Sequence, residues 1–141
     1  MTQISSELHL LEPVRKYLSN TGFKKVASEV QFHDYRIDVF GYDPVRELSV
    51  AVELKLVKWS SAINQAMVYQ LCADKVYIAM PHIYVHRVDI ELLARMNIGL
   101  LSVNEDMNVT VCFEPGFSPH VRSYYRVQEI QLLERSNNAK P

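Results

Sequence analysis

The sequence predicts a three-layer α/β domain, with a central mixed sheet covered by helices on both faces. Three observations predict it. Helical and alternating periodicities follow one another in the order helix, three strands, helix, strand, helix, two strands, helix. The segment 47–57 is apolar on both faces, the pattern of a central strand covered from two sides. The chain has 141 residues, 48% hydrophobic and 22% charged, which suits one globular domain spanning 1–141. At this length folding buries roughly two thirds of the unfolded chain's surface, so a core forms without metal or disulfide staples.

Between Ser5 and Asn20, Leu8, Leu11, Val14, Tyr17 and Leu18 recur at helical spacing, and Gly22 supplies a stop. Pro13 has no N–H, so this helix is either kinked there or begins in earnest at Glu12 with Pro13 in its first turn. Strands are expected at 24–32, 35–42 and 47–57, separated by "HD" and "GYDPVRE", which makes a meander. In the next helix Trp59, Ile63, Ala66, Met67 and Leu71 share a face, with Ser60 or Ser61 as N-cap. A short buried strand, 75–81, closes on Pro81. A helix near 87–96 sets Arg87, Glu91 and Arg95 on its polar side, and strands near 98–103 and 108–114 follow. Ser118 and Pro119 are the expected cap and first residue of a last amphipathic helix, which runs to about Arg135 before the chain frays.

Charge and cysteine content exclude several classes. A formal net charge of -1 and an isoelectric point near 6.5 give no general attraction for nucleic acid, so any such contact must be local. Cys72 and Cys112 lie far apart in apolar contexts and read as reduced core residues. His9, His33, His82, His86 and His120 are scattered without a ligand pair, and the four glycines form no phosphate-binding loop. There is no targeting segment and no run of about 20 apolar residues, so a cytoplasmic location is expected.

The stretch "AVELKLVKW", 51–59, puts Glu53 and Lys55 on one side of a strand that is otherwise valine and leucine. An unpaired charge buried there would cost several kcal/mol or lose its ionisation. Glu53 and Lys55 therefore line a cleft or pair, unless the strand is a solvated edge. Asp38 is a second carboxylate among apolar neighbours, Ile37, Val39 and Phe40, on the strand that should pair with 47–57. Two converging carboxylates repel and retain protons unless a cation lies between them. Mg²⁺ suits such oxygens and keeps several waters, leaving room for a phosphate. Lys55 then orients or deprotonates the attacking water, or stabilises negative charge on the phosphorane.

With Asp38 in "RID", and Glu53 and Lys55 in "ELK", the chain resembles the PD-(D/E)xK, or restriction-endonuclease-like, phosphodiesterase superfamily, with Ile37 where the name has proline. The pattern is nearest to small resolvase-like and RecB-like nuclease domains. The resemblance implies an αβββαβ nuclease core over residues 5–80, with helix, strand, strand and helix added after it. It implies a metal held by Asp38, Glu53 and the Leu54 carbonyl, with an acid from the first helix in support. Glu7 is the choice for that acid, Glu12 the runner-up and Glu29 a third candidate. Gln65 and Tyr69, in "NQAMVYQ", resemble the QxxxY element of those branches, where the glutamine positions active-site groups or DNA; Tyr69 as packing and Gln65 as an exposed residue is the competing reading.

The resulting expectation is a nuclease dependent on Mg²⁺ or Mn²⁺ acting on nucleic acid, with DNA foremost. Lys58, Lys24, Lys25 and Arg36 are its candidate phosphate contacts. A homodimer, or a place as a subunit of a larger DNA-processing or defence system, goes with so small a domain. The alternative is a nuclease-like fold that binds nucleic acid or a protein without cutting. Both nuclease residues must lie on one side of the sheet: Asp38 opposite in face to Glu53 ends the reading.

Overall fold

The computed structural model describes residues 3–136. Helix α1, Leu8–Asn20, starts well before Pro13 and carries that proline in its interior. Leu10, Val14 and Leu18 form its buried stripe, with Pro13 beside them. It stops where expected: Gly22 takes φ +108°, and the Phe23 N–H reaches back to the Leu18 carbonyl at 3.0 Å.

Three strands follow, β1 (Lys25–Phe32), β2 (Tyr35–Asp43) and β3 (Leu48–Leu54), as an antiparallel meander. Helix α2 (Trp59–Tyr69) then carries the chain to β4 (Lys75–Pro81), parallel to β3. A 3₁₀ turn, His82–Arg87, and helix α3 (Ile90–Met96) lead to β5 (Ile98–Val103), parallel to β4. Strand β6 (Val109–Phe113) returns antiparallel to β5, and α4 (Ser123–Arg135) ends the described chain. Among the described residues the six strands lie in one sheet in sequence order. The expected fraying beyond Arg135 falls largely outside the described residues.

Alternating side chains feed two apolar layers, and this is the three-layer α/β/α architecture the sequence predicts. On one face α1 packs over Val39, Val50, Val52, Leu54, Ala79 and Leu101. On the other, α2, α3 and α4 bury Ala66, Leu93 and Leu133 against Phe40, Ala51, Ile78 and Leu100. Strand β3 is buried along both faces except at its first residue.

Several local expectations are corrected. Strand β3 ends at Leu54 rather than near 57, although the Lys55 N–H continues the parallel ladder to the Ala79 carbonyl at 3.0 Å. The N-cap position of α2 is Lys58; the Ser61 hydroxyl turns back onto the Lys58 carbonyl at 2.8 Å instead of capping. The buried stripe of α2 is Ala62, Ile63, Ala66 and Tyr69, while Met67 is exposed. Helix α3 begins at Ile90, capped by the Asp89 carboxylate, which accepts from the Leu92 N–H at 3.2 Å. Arg87 precedes it and stacks over Tyr84 at 4.9 Å. Ser118 and Pro119 do not start α4. The Ser118 N–H is drawn to the Asp74 carbonyl at 2.7 Å and the Arg122 N–H to that of Leu71 at 2.9 Å, which holds the segment irregular until Ser123. Cys72 is buried as expected, but Cys112 is exposed, because β6 is an edge strand with one open face.

Asp74 ties the β3 end of the sheet to α4. Its carboxylate accepts from the Ser49 N–H at 2.8 Å, the Ser49 hydroxyl at 3.0 Å and the Arg126 guanidinium at 2.9–3.1 Å. Nη2 of the same guanidinium, which also donates to Asp74, donates to the Glu47 carbonyl at 2.7 Å. Asp74→Ala strands these donors together and is expected to cost roughly 2–4 kcal/mol. Urea unfolding reads this as a lower midpoint at unchanged slope; a loss within about 0.5 kcal/mol, the range of ordinary surface changes, would deny the network that role.

Candidate active site

The site forms where β2 leaves β3. Their ladder ends at Val39 opposite Val52, whereas the β3–β4 ladder continues to Leu54 opposite Ala79. Extending the β2–β3 register by one residue sets Asp38 opposite Glu53, and the Asp38 carboxylate accepts the Leu54 N–H at 2.8 Å in place of a strand partner. The hairpin helps to aim it. Ala27 and Val30, three residues apart, enter the same core layer, as do Ile37 and Phe40. Both strands therefore shift face around Glu29 and Asp38, and Glu29 takes φ +52°. A local break in alternation of this kind re-aims a side chain.

Glu53 is 5% exposed and Tyr69 fully buried, with the Tyr69 hydroxyl 3.1 Å from a Glu53 oxygen and 3.0 Å from the Arg36 carbonyl. Asp38 and Glu53 share a side-chain hydrogen bond, so that one proton is held between the two carboxyls. Burial raises Glu53 to about 8, with the Asp38 charge adding to it and the Tyr69 hydrogen bond and Lys55 charge opposing it. Burial also raises Asp38, against the Leu54 N–H, the hydrogen bond from Glu53 and the Lys55 charge, while the Glu7 charge raises it further. The two carboxyls thus titrate as a pair.

The residues proposed from the sequence separate clearly. Asp38, Glu53 and Lys55 come together, and the Glu7 charge acts on Asp38 from the start of α1. Glu12 does not join them: it points to solvent and meets Arg15 at 3.6 Å. Glu29 is exposed and lines a cavity with Gln31, Leu132 and Arg135 instead. Gln65 is half-buried one turn before Tyr69, and it is Tyr69 that reaches Glu53. Lys25 lies opposite Tyr42, at the far end of β2 from Asp38, and pairs with Glu134 at 2.7 Å. With Lys24 before it, Lys25 is therefore no phosphate contact at this site, whereas Arg36 and Lys58 flank it and are exposed.

Oxygen donors of this kind suit Mg²⁺ or Mn²⁺. Among the described residues no three His, Cys, Asp or Glu side chains group as a ligand set, so Glu7 does not complete one with Asp38 and Glu53. Two carboxylates alone would hold such an ion only with most of its waters kept.

Another buried carboxyl, Glu129 of α4, escaped notice in the sequence. It is 2% exposed, one of its oxygens has no hydrogen-bond partner among the described residues, and burial raises it to about 7. It stands in "RVQEIQ" beside the buried Ile130 and four residues before the buried Leu133, on the helical stripe that the spacing of this segment defines.

The chain is similar in fold to a protein of unknown function from Silicibacter pomeroyi, SPO1766. The TM-score is 0.72, the match covers 94% of this chain and 86% of that one, and sequence identity is 19%. That likeness concerns the fold. No protein-family model matches the chain, and no curated protein matches it. No helix among the described residues is long and apolar enough to cross a membrane.

Proposed function

We propose that this protein is a divalent-metal-dependent nuclease that hydrolyses phosphodiester bonds, with DNA as the foremost substrate. One observation carries the reading: two desolvated carboxyls, Asp38 and Glu53, meet in a gap of the sheet beside the charge of Lys55. A structural role alone gives no reason to bury two acids against each other at a cost to folding.

Bound Mg²⁺ or Mn²⁺ supplies Lewis acidity toward a phosphoryl oxygen and acidifies bound water. Asp38 and Glu53 hold it, and the Leu54 carbonyl is the third donor that the resemblance implies. Asp38 is fixed by the Leu54 N–H, and Glu53 by the Tyr69 hydroxyl. Lys55 sets its ammonium beside the developing negative charge and orients the attacking water. Gln65, on α2 one turn before Tyr69, is the positioning residue that the resemblance implies, and Arg36 and Lys58 meet flanking phosphates. Two-strand cutting requires a second copy or a larger DNA-processing assembly, because one such site is found among the described residues.

The test is cleavage of single-stranded, duplex and branched DNA and of RNA, with Mg²⁺, Mn²⁺ or EDTA. Cleavage is expected with either ion and none with EDTA. Asp38→Ala and Lys55→Ala should each lower the rate by roughly 10²-fold or more. Activity that survives both substitutions would exclude this site as its source, and tight binding without cleavage would favour a nucleic-acid-binding role.

A further inference from the structure

A series of aromatic rings starts at the candidate active site and crosses the β1–β2 turn to α4. Tyr35 is 38% exposed and stands edge-on to Tyr69, ring centroids 6.5 Å apart and planes at 87°, and Tyr69 in turn touches Glu53. Across the hairpin Tyr35 pairs with Phe32, which packs against His33 at 4.5 Å and Tyr125 at 5.5 Å. His33 lies 4.9 Å from Tyr125, and Tyr125 lies 5.9 Å from Tyr124, which is 74% exposed. The turn that joins the two ends of the series is two residues long, His33 and Asp34.

Beyond the turn His33, Tyr125 and Tyr124 border an open groove of about 1090 Å³ along α4, lined also by Gln31, Val127, Leu132 and Arg135. The groove is mainly apolar, with amides and one guanidinium among its polar groups, and the one carboxyl in its wall, Glu129, is buried. Exposed arginines stand along the same course, Arg36 on β2, Arg122 before α4 and Arg135 at its end. Despite a net charge of -1, these three arginines stand beside the rings, with one exposed carboxylate, Asp34, in the turn between them. Exposed rings interleaved with cations bind strands whose bases are free to stack; in a duplex those base faces are already covered.

We propose that Tyr35, His33, Tyr125 and Tyr124 form a track for single-stranded nucleic acid that leads to Asp38 and Glu53, so that the substrate class is an unpaired strand. The proposal rests on the nuclease reading for which end of the track meets the scissile phosphate. Val127 and Leu132 also expose apolar surface on α4. The arginines beside the rings and the continuity with the carboxylates favour a nucleic acid over a second copy of the chain.

The test uses the full chain with Asp38→Asn, which keeps an acceptor for the Leu54 N–H. A labelled oligothymidylate and a duplex of the same length are titrated in EDTA and followed by fluorescence anisotropy. The single strand should bind more tightly than the duplex. Tyr35→Ala and Tyr124→Ala should each weaken it by roughly fivefold or more, the least that losing one base–aromatic stack brings. Tyr35→Phe should retain the parent affinity, and thermal melts confirm that each variant folds. Equal affinity for single strand and duplex, or alanine variants that bind as tightly as the parent, would overturn the track. So would Tyr124→Ala dissociating a dimer without changing affinity, which assigns the face to a second copy.

Cleavage by the unsubstituted chain separates the two readings. If it cuts duplex as readily as single strands, the nuclease stands and the track falls. If it binds single strands through Tyr35 and Tyr124 but cuts nothing with Mg²⁺ or Mn²⁺, the track stands and the nuclease falls.

Discussion

Glu53→Gln is expected to raise the melting temperature of the metal-free protein at pH 8 and to leave it nearly unchanged at pH 4. In the folded chain Glu53 is raised from 4.5 to about 8. Between those values the folded state binds a proton that the unfolded state has released. Stability therefore falls as pH rises through this window and levels off above it. Glutamine keeps an oxygen for the Tyr69 hydroxyl but has no proton to lose, so it escapes the decline. A shift of this size corresponds to a gain on the order of 4 kcal/mol at pH 8. For a domain of this length that is roughly 15 °C.

Asp38→Asn should give a smaller gain of the same sign, because it removes the like charge that helps to raise Glu53. Thermal melts of the three proteins between pH 4 and pH 9 in EDTA test both. Parallel pH profiles for all three would mean that the carboxyls are not under mutual strain in the folded protein. A gain of stability from removing a carboxylate is the signature of a group kept for chemistry rather than for folding.

The central part of the site was legible because burial and charge conflict so openly there. Glu53 lies in a strand apolar on both faces, and Asp38 among Ile37, Val39 and Phe40. A meander allows only a few registers, and the observed one sets the two acids opposite. The layer order was legible for a related reason: helical and strand periods differ, and α1 to β6 keep their period over whole elements. Their ends were less so. Ser61 and Ser118 are good capping residues by type, but each has a stronger local partner, the Lys58 carbonyl for one hydroxyl and the Asp74 carbonyl for one N–H.

Rotation of a helix about its axis was likewise hidden. Met67 and Tyr69 are both apolar enough for a core stripe, and the crossover from β3 to β4 decides that Tyr69 turns inward to Glu53. Position along a strand misled in the same way. Lys25 is near Asp38 in sequence, yet antiparallel pairing sends it to the other end of the sheet. Glu7 shows the converse, distant in sequence but brought within electrostatic reach of Asp38 because α1 begins above the end of β3. Sequence spacing reports which face a residue takes within an element, and only the assembled sheet reports which end of the molecule it reaches.

Binding of Mn²⁺ should release a proton and strengthen as pH rises toward 8. Without the ion, Asp38 and Glu53 share a proton, and ligation by both carboxylates requires that proton to leave. Affinity should then rise by up to roughly tenfold per pH unit below about 8, and level off once the pair is ionised. Calorimetry at pH 6.5 in two buffers of different ionisation enthalpy measures the proton count directly, and titrations at pH 6, 7 and 8 measure the affinity. In Asp38→Asn one ligand charge is gone and Glu53 loses its like-charged neighbour, so both affinity and proton release should fall. Lys55→Met provides the opposing case. The Lys55 charge now favours the ionised carboxyls, so its removal should raise their titration and shift the affinity curve to higher pH. Proton-independent binding, or a curve that Lys55→Met leaves in place, would show that the ion does not sit between Asp38 and Glu53. In that event the two acids must be explained by something other than phosphodiester chemistry.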